Sequence, residues 1–247
     1  MLLSWIIVFS ILGSIGAIVA AAVFLLIRGK TQKILVSYLI SYATGTLLAA
    51  ALLGLLQKSL QYISSIQVMS ALLIGIIFFF SLEKLLIWRH CHNEECERHG
   101  TAGPMILVGD AFHNFTDGIV IAASFLASIP VGIVIGLSVI AHEIPQEVGD
   151  FAILLHGGYS RRRAFLLNTL SSLCTLPGAI LAYYALDIVH YATPYVMAFS
   201  AASFLYIALA DLMPELHGKI GFQHPIQQFL LMLAGVGTII LILYGNF

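Results

Sequence analysis

The chain has 247 residues, of which 60% are hydrophobic and only 9% charged, where a soluble domain carries about a quarter charged residues. So few charges cannot make a water-facing surface, and a net charge of −1 excludes nucleic acid as a partner. Lipid is the solvent instead, which leaves helices or a closed barrel as the only ways to satisfy the backbone. The apolar runs are long and continuous rather than short and alternating, which predicts an all-α membrane protein.

A span needs roughly 20 apolar residues, and eight segments meet that need. The first, 2–27, lacks a basic leader and an A-x-A-like cleavage site, so it reads as a retained helix; Arg28-Gly29-Lys30 ends it. The second is 34–56, closed by Lys58 and Ser64-Ser65, and the third is 68–88. A His/Cys/Glu-rich loop, 89–103, leads to the fourth, 105–127. Pro130 separates that from the fifth, 131–156, with almost no loop. Gly157-Gly158 and Arg161 to Arg163 precede the sixth, 164–186. Pro194 opens the seventh, 195–216, and Gly218, Gly221 and Pro225 precede the eighth, 226–244. Cys91 and Cys96 share the third loop while Cys174 lies in an apolar run, which is no disulfide framework. Lys and Arg sit almost wholly in the odd-numbered loops, with Lys58 the exception. Those loops are therefore cytoplasmic and both termini face outward.

The fourth and fifth segments carry polar residues that a packing helix has no use for. The fourth reads G-D-A-F-H-N-F-T-D-G, with Asp110, His113, Asn114 and Asp117. The fifth reads A-H-E-I-P-Q-E-V-G-D-F, with His142, Glu143, Gln146, Glu147 and Asp150. One ionised group at mid-membrane costs about 2.5–3.5 kcal/mol on insertion scales. Several on two helices sum to on the order of 10 kcal/mol before compensation. Asp110, His113 and Asp117 fall on one helix face, and so do Glu143, Gln146, Glu147 and Asp150, with His142 at the edge. A short connection makes the two helices antiparallel neighbours, their stripes facing across a path for water or ions. Imidazole nitrogen with carboxylate and amide oxygen is a ligand set for a divalent first-row metal. With no thiolate among them, the set suits an ion that must leave again. Pro145 frees the Ala141 carbonyl and predicts a kink beside His142. Gly118, Gly132 and Gly136 read as close helix-packing positions.

These two motifs closely resemble the signature of the ZIP (Zrt/Irt-like) metal transporters, nearest the subfamily with H-N-F-x-D-G and H-E-x-P-H-E-x-G-D. F-L-Y-I-A-L-A-D-L-M-P-E-L from Phe204 to Leu216 and Y-A-T-G-T-L-L from Tyr42 to Leu48 are similar to that subfamily too. The resemblance implies an eight-helix bundle with a binuclear metal centre between helices four and five. Residue by residue, it implies that His113, Asp117 and His142 hold the transported metal. Asn114, Glu143 and Glu147 would form the adjoining site, with Gln146 between the two. It further implies zinc uptake into the cytosol by alternating access, the metal being substrate rather than a permanent cofactor, and homodimers. Three departures stand out. Gln146 replaces the usual second His, Ala50 and Gly54 replace polar residues of the second helix, and the sixth helix offers Ser171, Ser172 and Thr175 rather than a carboxylate. No room precedes Leu2 for the subfamily's extracellular domain, and the short form points to a prokaryotic plasma (inner) membrane.

Other features each carry two readings. The third loop holds His90, Cys91, His92, Cys96 and His99, either a cytosolic metal receiver or a solvated linker. Asp211 and Glu215, four apart around Pro214, are either exit-path ligands or solvated acids at a helix end. His156 either lines the exit or marks the interface. A membrane-embedded zinc hydrolase is the rival function, though His142-Glu143 lacks the His at position 146 that zincin spacing needs. If imidazole ligates the metal, flux depends on pH between roughly 5.5 and 7.5, because an unperturbed His titrates near 6.5.

Overall fold

The structure is a computed structural model that describes residues 1–24, 26, 30–88, 102–217 and 225–245. The described residues contain helices and no strand. They form α1 (Leu2–Val23), α2 (Ile34–Ser59), α3 (Ser65–Leu85), α4 (Ala102–Ala127), α5 (Ile129–Leu155), α6 (Arg161–Leu186), α7 (His190–Leu216) and α8 (Pro225–Tyr244). Seven of these are long and apolar enough to cross a membrane. The other, α4, has 26 residues and carries Asp110, His113, Asn114 and Asp117 through its middle.

Local chemistry sets the breaks. Ser128, in extended backbone, caps α5 by accepting a hydrogen bond from the Val131 N–H, with Pro130 in the first turn, where a missing N–H costs nothing. Gly158 turns the chain into α6 with φ of 84°, a region open to glycine without steric cost, and Ser160 caps the helix that follows. The sixth helix is not the single rod that its hydropathy suggests. It is interrupted between Ser172 and Thr175, because Pro177 has no N–H for the Leu173 carbonyl. By contrast α5 stays helical through Pro145. Short π-helical stretches widen α1 at Leu12–Gly16, α2 at Ala50–Leu56 and α7 at Ile207–Leu212.

Small residues let the helices touch backbone to backbone. A Cβ on Gly118 of α4 would fall 2.0 Å from the Thr175 carbonyl oxygen of α6, and one on Gly178 of α6 would fall 2.1 Å from the Phe115 oxygen of α4. The same device joins α2 to α8, where Gly45 faces the Met232 oxygen at 2.1 Å. Gly132 and Gly136 of α5 receive the rings of Phe125 and Phe9. Helices α3 and α8 bury only 11% of their apolar windows, so their outer faces are left for lipid. The second helix is the most buried span, at 72% of its window, and the buried polar residues of α4, α5 and α6 lie against one another.

Candidate metal centre

Antiparallel packing of α4 on α5 brings two carboxylates and two imidazoles to one point. His142 Nε2 lies 3.2 Å from Asp117 Oδ2 and 3.6 Å from Glu143 Oε1. His113 Nε2 lies 3.3 Å from Glu143 Oε1, 3.8 Å from Asp117 Oδ2 and 3.2 Å from His142 Nε2. One ligand atom from each of the four residues falls within 4.8 Å of the others. His142 Nδ1 sits 2.8 Å from the Ser138 carbonyl. That oxygen can only accept, so the ring proton is on Nδ1 and the Nε2 lone pair faces the other three residues. We call these four the imidazole group.

A second set shares Glu143. Asp110, Glu143 and Glu147 also place oxygens within 4.8 Å of one another, and we call them the carboxylate group. Asp117, Glu143 and Glu147 are fully buried and Asp110 nearly so. Both oxygens of Asp117, both of Glu143 and Oε1 of Glu147 have no hydrogen-bond partner among the described residues. Buried polar atoms in native proteins are otherwise almost always satisfied. Among the described residues the ion pairs of these acids are all with His113 and His142, never with Lys or Arg. A cluster of buried acids without a cation of its own is arranged to receive one.

Several residues take other places than the sequence implies. Asp110, expected as an accessory, belongs to the carboxylate group. Asn114, expected in the adjoining site, makes two hydrogen bonds beside it. Its Nδ2 donates to Asp110 Oδ1 at 2.9 Å, and its Oδ1 accepts from Thr175 Oγ1 at 2.9 Å. Gln146 also donates to Asp110 Oδ1, at 3.2 Å. Both amides therefore orient Asp110, whose other oxygen accepts from Ser171 Oγ at 2.5 Å. Two contributors escaped the sequence reading. Asn168 of α6 donates to Glu147, and Tyr206 of α7 donates to Glu83 of α3. Asn168 opens the row that Ser171, Ser172 and Thr175 continue at helical spacing, so the row itself was the available signal. Glu83 has no such signal, being flanked by Lys84 at a helix end.

A cavity of about 500 Å³ runs from the site, with His113, Asp110, Gln146, Asp150, Glu83, Tyr206, Asp211 and Glu215 in its wall. His113, 17% exposed, is the member of the imidazole group that faces it; Asp117, His142 and Glu143 are at 0–1%. His156 ends the fifth helix, and its side chain lies outside the described residues. His90, Cys91, His92, Cys96 and His99 lie outside them too.

Comparison with known proteins settles the family. The sequence model of the ZIP Zinc transporter family matches residues 88–243, more than half of the chain and all of the site. The chain belongs to the ZIP family. It is 38% identical over 140 residues to the zinc transporter zipt-7.2 of Caenorhabditis elegans, covering 55% of this chain and 30% of that protein. It is 33% identical over 224 residues to zinc transporter ZIP13 of Pongo abelii, covering 85% of this chain and 66% of that one. To human zinc transporter ZIP4 it is 40% identical over 142 residues, covering 56% and 22%. This ZIP chain thus spans less than two thirds of the length of these relatives.

Proposed function

We propose that this ZIP chain carries a divalent metal ion, zinc foremost, across a bilayer through the imidazole group. The observation that carries this reading is the convergence of His113, Asp117, His142 and Glu143 within 4.8 Å, all but His113 buried, with no lysine or arginine partner among the described residues. Two imidazole nitrogens and two carboxylate oxygens are a four-ligand set for zinc. The names of the relatives, zinc transporters all, support the same ion. They give no support to the hydrolase alternative.

The topology follows from charge. With the odd loops cytoplasmic, α4 is the eighth span, its polar residues turned into the bundle, and both termini lie outside. The cavity wall is then built from cytoplasmic helix halves: the starts of α2 and α4 and the ends of α3, α5 and α7. An ion leaving the imidazole group passes His113 first and meets Asp150, Asp211 and Glu215 on the way to the cytosol. Uptake is the direction this favours. Transport by alternating access then requires the site to open to the outer side in turn. The H-N-F-x-D-G subfamily, the homodimer, the plasma membrane and metal capture by loop 89–103 belong to this same reading.

The test is zinc flux into liposomes holding the purified chain, with His113→Ala as control. Flux that disappears in a folded His113→Ala protein supports transport and puts His113 on the path. Zinc binding without flux in the wild-type chain sinks the proposal.

A further inference from the structure

We infer that an apolar cavity between α3, α4 and α7 seats one acyl chain of an outer-leaflet phospholipid, which completes the wall between the ion path and the bilayer. The inference takes its leaflet and the ion path from the reading under Proposed function and adds a lipid site beside them.

The cavity follows from how the third helix packs. α3 lies along α7, tightly enough at Gly75 that an added Cβ would fall 2.5 Å from Ala202 Cβ. α4 also packs on α7, but among the described residues α3 and α4 hardly touch. The cytoplasmic half of the gap between them belongs to the ion cavity, and the outer half is a second cavity of about 420 Å³. Phe79, Thr116 and Ser203 line both, so these side chains form the partition. Thr116 donates to the His113 carbonyl at 2.7 Å, which ties the partition to the backbone of the imidazole group.

The chemistry of the second cavity suits hydrocarbon. Ile74, Ile119, Val120, Val196 and Phe199 supply most of its lining. The Thr116 hydroxyl is turned to its own helix, and Tyr195 Oη, at the outer end, accepts from Gln67 Nε2 at 2.8 Å. Ser200 and Ser203 add two hydroxyls, too few to hold water through this space, since a buried water needs about two to four polar partners. A dry void forfeits dispersion contacts along its lining, and the neighbour in a bilayer that can supply them is an acyl chain. Ile74, 62% exposed, opens the cavity to the lipid side. The length matches as well. Tyr195 and Ser203 lie eight residues apart on α7, about 12 Å of helix rise, against about 15 Å for one leaflet of a 30 Å hydrocarbon core. A partner helix, about 10–12 Å across, would need more than about twice the volume over that length. The chain therefore enters beside Tyr195, where an interfacial aromatic belongs, and ends on the partition.

The experiment places the full chain in liposomes containing a phosphatidylglycerol with a photoreactive diazirine in the terminal half of one acyl chain. After irradiation the labelled residues are mapped by mass spectrometry. Val120 and Ser200 are 2% and 4% exposed and line the cavity, so lipid reaches them through it. Ile77, 56% exposed and outside the lining, reports the bulk bilayer. We expect Val120 and Ser200 to be labelled at a level comparable with Ile77. Ser200→Leu and Ala71→Phe each fill the cavity and should cut Val120 labelling at least about 10-fold with Ile77 unchanged. If one of these variants does not fold, the other decides. Moving the diazirine next to the headgroup should shift the label to Tyr195. A shift to Phe79 instead would mean entry from the cytoplasmic leaflet and overturns the inference. So does a wild-type protein labelled at Ile77 alone, a Val120 label that persists in the folded variants, or a label that requires a free photoreactive fatty acid. Zinc flux is scored separately in the same liposomes. Labelling without flux keeps the chain site and removes transport, whereas flux without labelling removes this inference and leaves transport standing.

Discussion

Two helix seams in this molecule are built alike and used differently. The α2–α8 seam closes through Gly45 and Gly235, whose added Cβ atoms would fall 2.1 and 2.4 Å from carbonyl oxygens of the other helix. The α4–α6 seam closes through Gly118 and Gly178 at 2.0 and 2.1 Å. Both carry polar side chains, partly buried at α2–α8 and buried at α4–α6. At α2–α8 they are neutral and matched, Tyr42 donating to Thr238 and Gln228 donating to Ser37. At α4–α6 the row on α6 leads to acids that keep unpartnered oxygens. Close glycine packing is thus a general way of joining spans and says nothing about function. The separating feature is charge left uncompensated where water is scarce.

The largest effect should come from deleting a ligand on the charged side of that comparison. Asp117→Ala removes one of the four groups of the proposed zinc site and leaves His142 Nε2 without its nearest carboxylate. We expect zinc flux in liposomes to fall at least about 100-fold, beyond the 10–100-fold that lost supporting contacts cost a metal site. Gln228→Ala, at the neutral seam, should leave flux within about twofold. Equal losses in the two would mean that the seams do not differ in the way the unpartnered acids imply.

A sharper comparison puts the same methyl group into both seams. Gly118→Ala and Gly45→Ala each force a Cβ against a backbone oxygen, and overpacking of this kind costs about 1–3 kcal/mol. Both variants should lose thermal stability. Only Gly118→Ala should also weaken zinc binding, because it pushes the Thr175 backbone, and with it the hydroxyl that holds Asn114, away from the site. Next in size is Thr175→Val, which deletes that hydroxyl at constant shape. Asn114 then holds Asp110 less firmly, and metal affinity measured by titration should drop about 10-fold with little change in Tm.

These contrasts also explain what could be read from the sequence. That His113, Asp117 and His142 face one another was legible because helical spacing fixes a face and a short turn fixes the neighbour, whereas Glu143, expected in the adjoining site, is shared by both groups. The axial offset between α4 and α5 is not in any spacing, so Asp110 could not be assigned to the second group beforehand. Asn114 and Gln146 look like ligands by residue type. Their hydrogen bonds could not be read from spacing: both amide nitrogens donate to Asp110 Oδ1, and the Asn114 oxygen accepts from Thr175. Pro177 was visible, yet in a long apolar run it passed without the break it causes. The pairing of Tyr206 with Glu83 spans 123 positions and needed the fold.

The smallest effect tests the neutral seam from inside. Tyr42 Oη donates to Thr238 Oγ1 at 3.1 Å, and Thr238 in turn donates to the Ala234 carbonyl of its own helix at 2.9 Å. Tyr42→Phe removes one hydroxyl and leaves the ring and the Thr238 bond to its own helix in place. Interhelical hydrogen bonds in membrane proteins average about 0.6 kcal/mol, since the separated helices find other partners in the bilayer. Unfolding should therefore show a loss near that value, with zinc flux unchanged. A flux change as large as that of Thr175→Val would mean that the α2–α8 seam moves during transport, and would overturn its assignment as passive packing. A stability loss of several kcal/mol with flux intact would leave the seam passive but make its polar contacts, rather than the interlocked glycines, the main tie between α2 and α8.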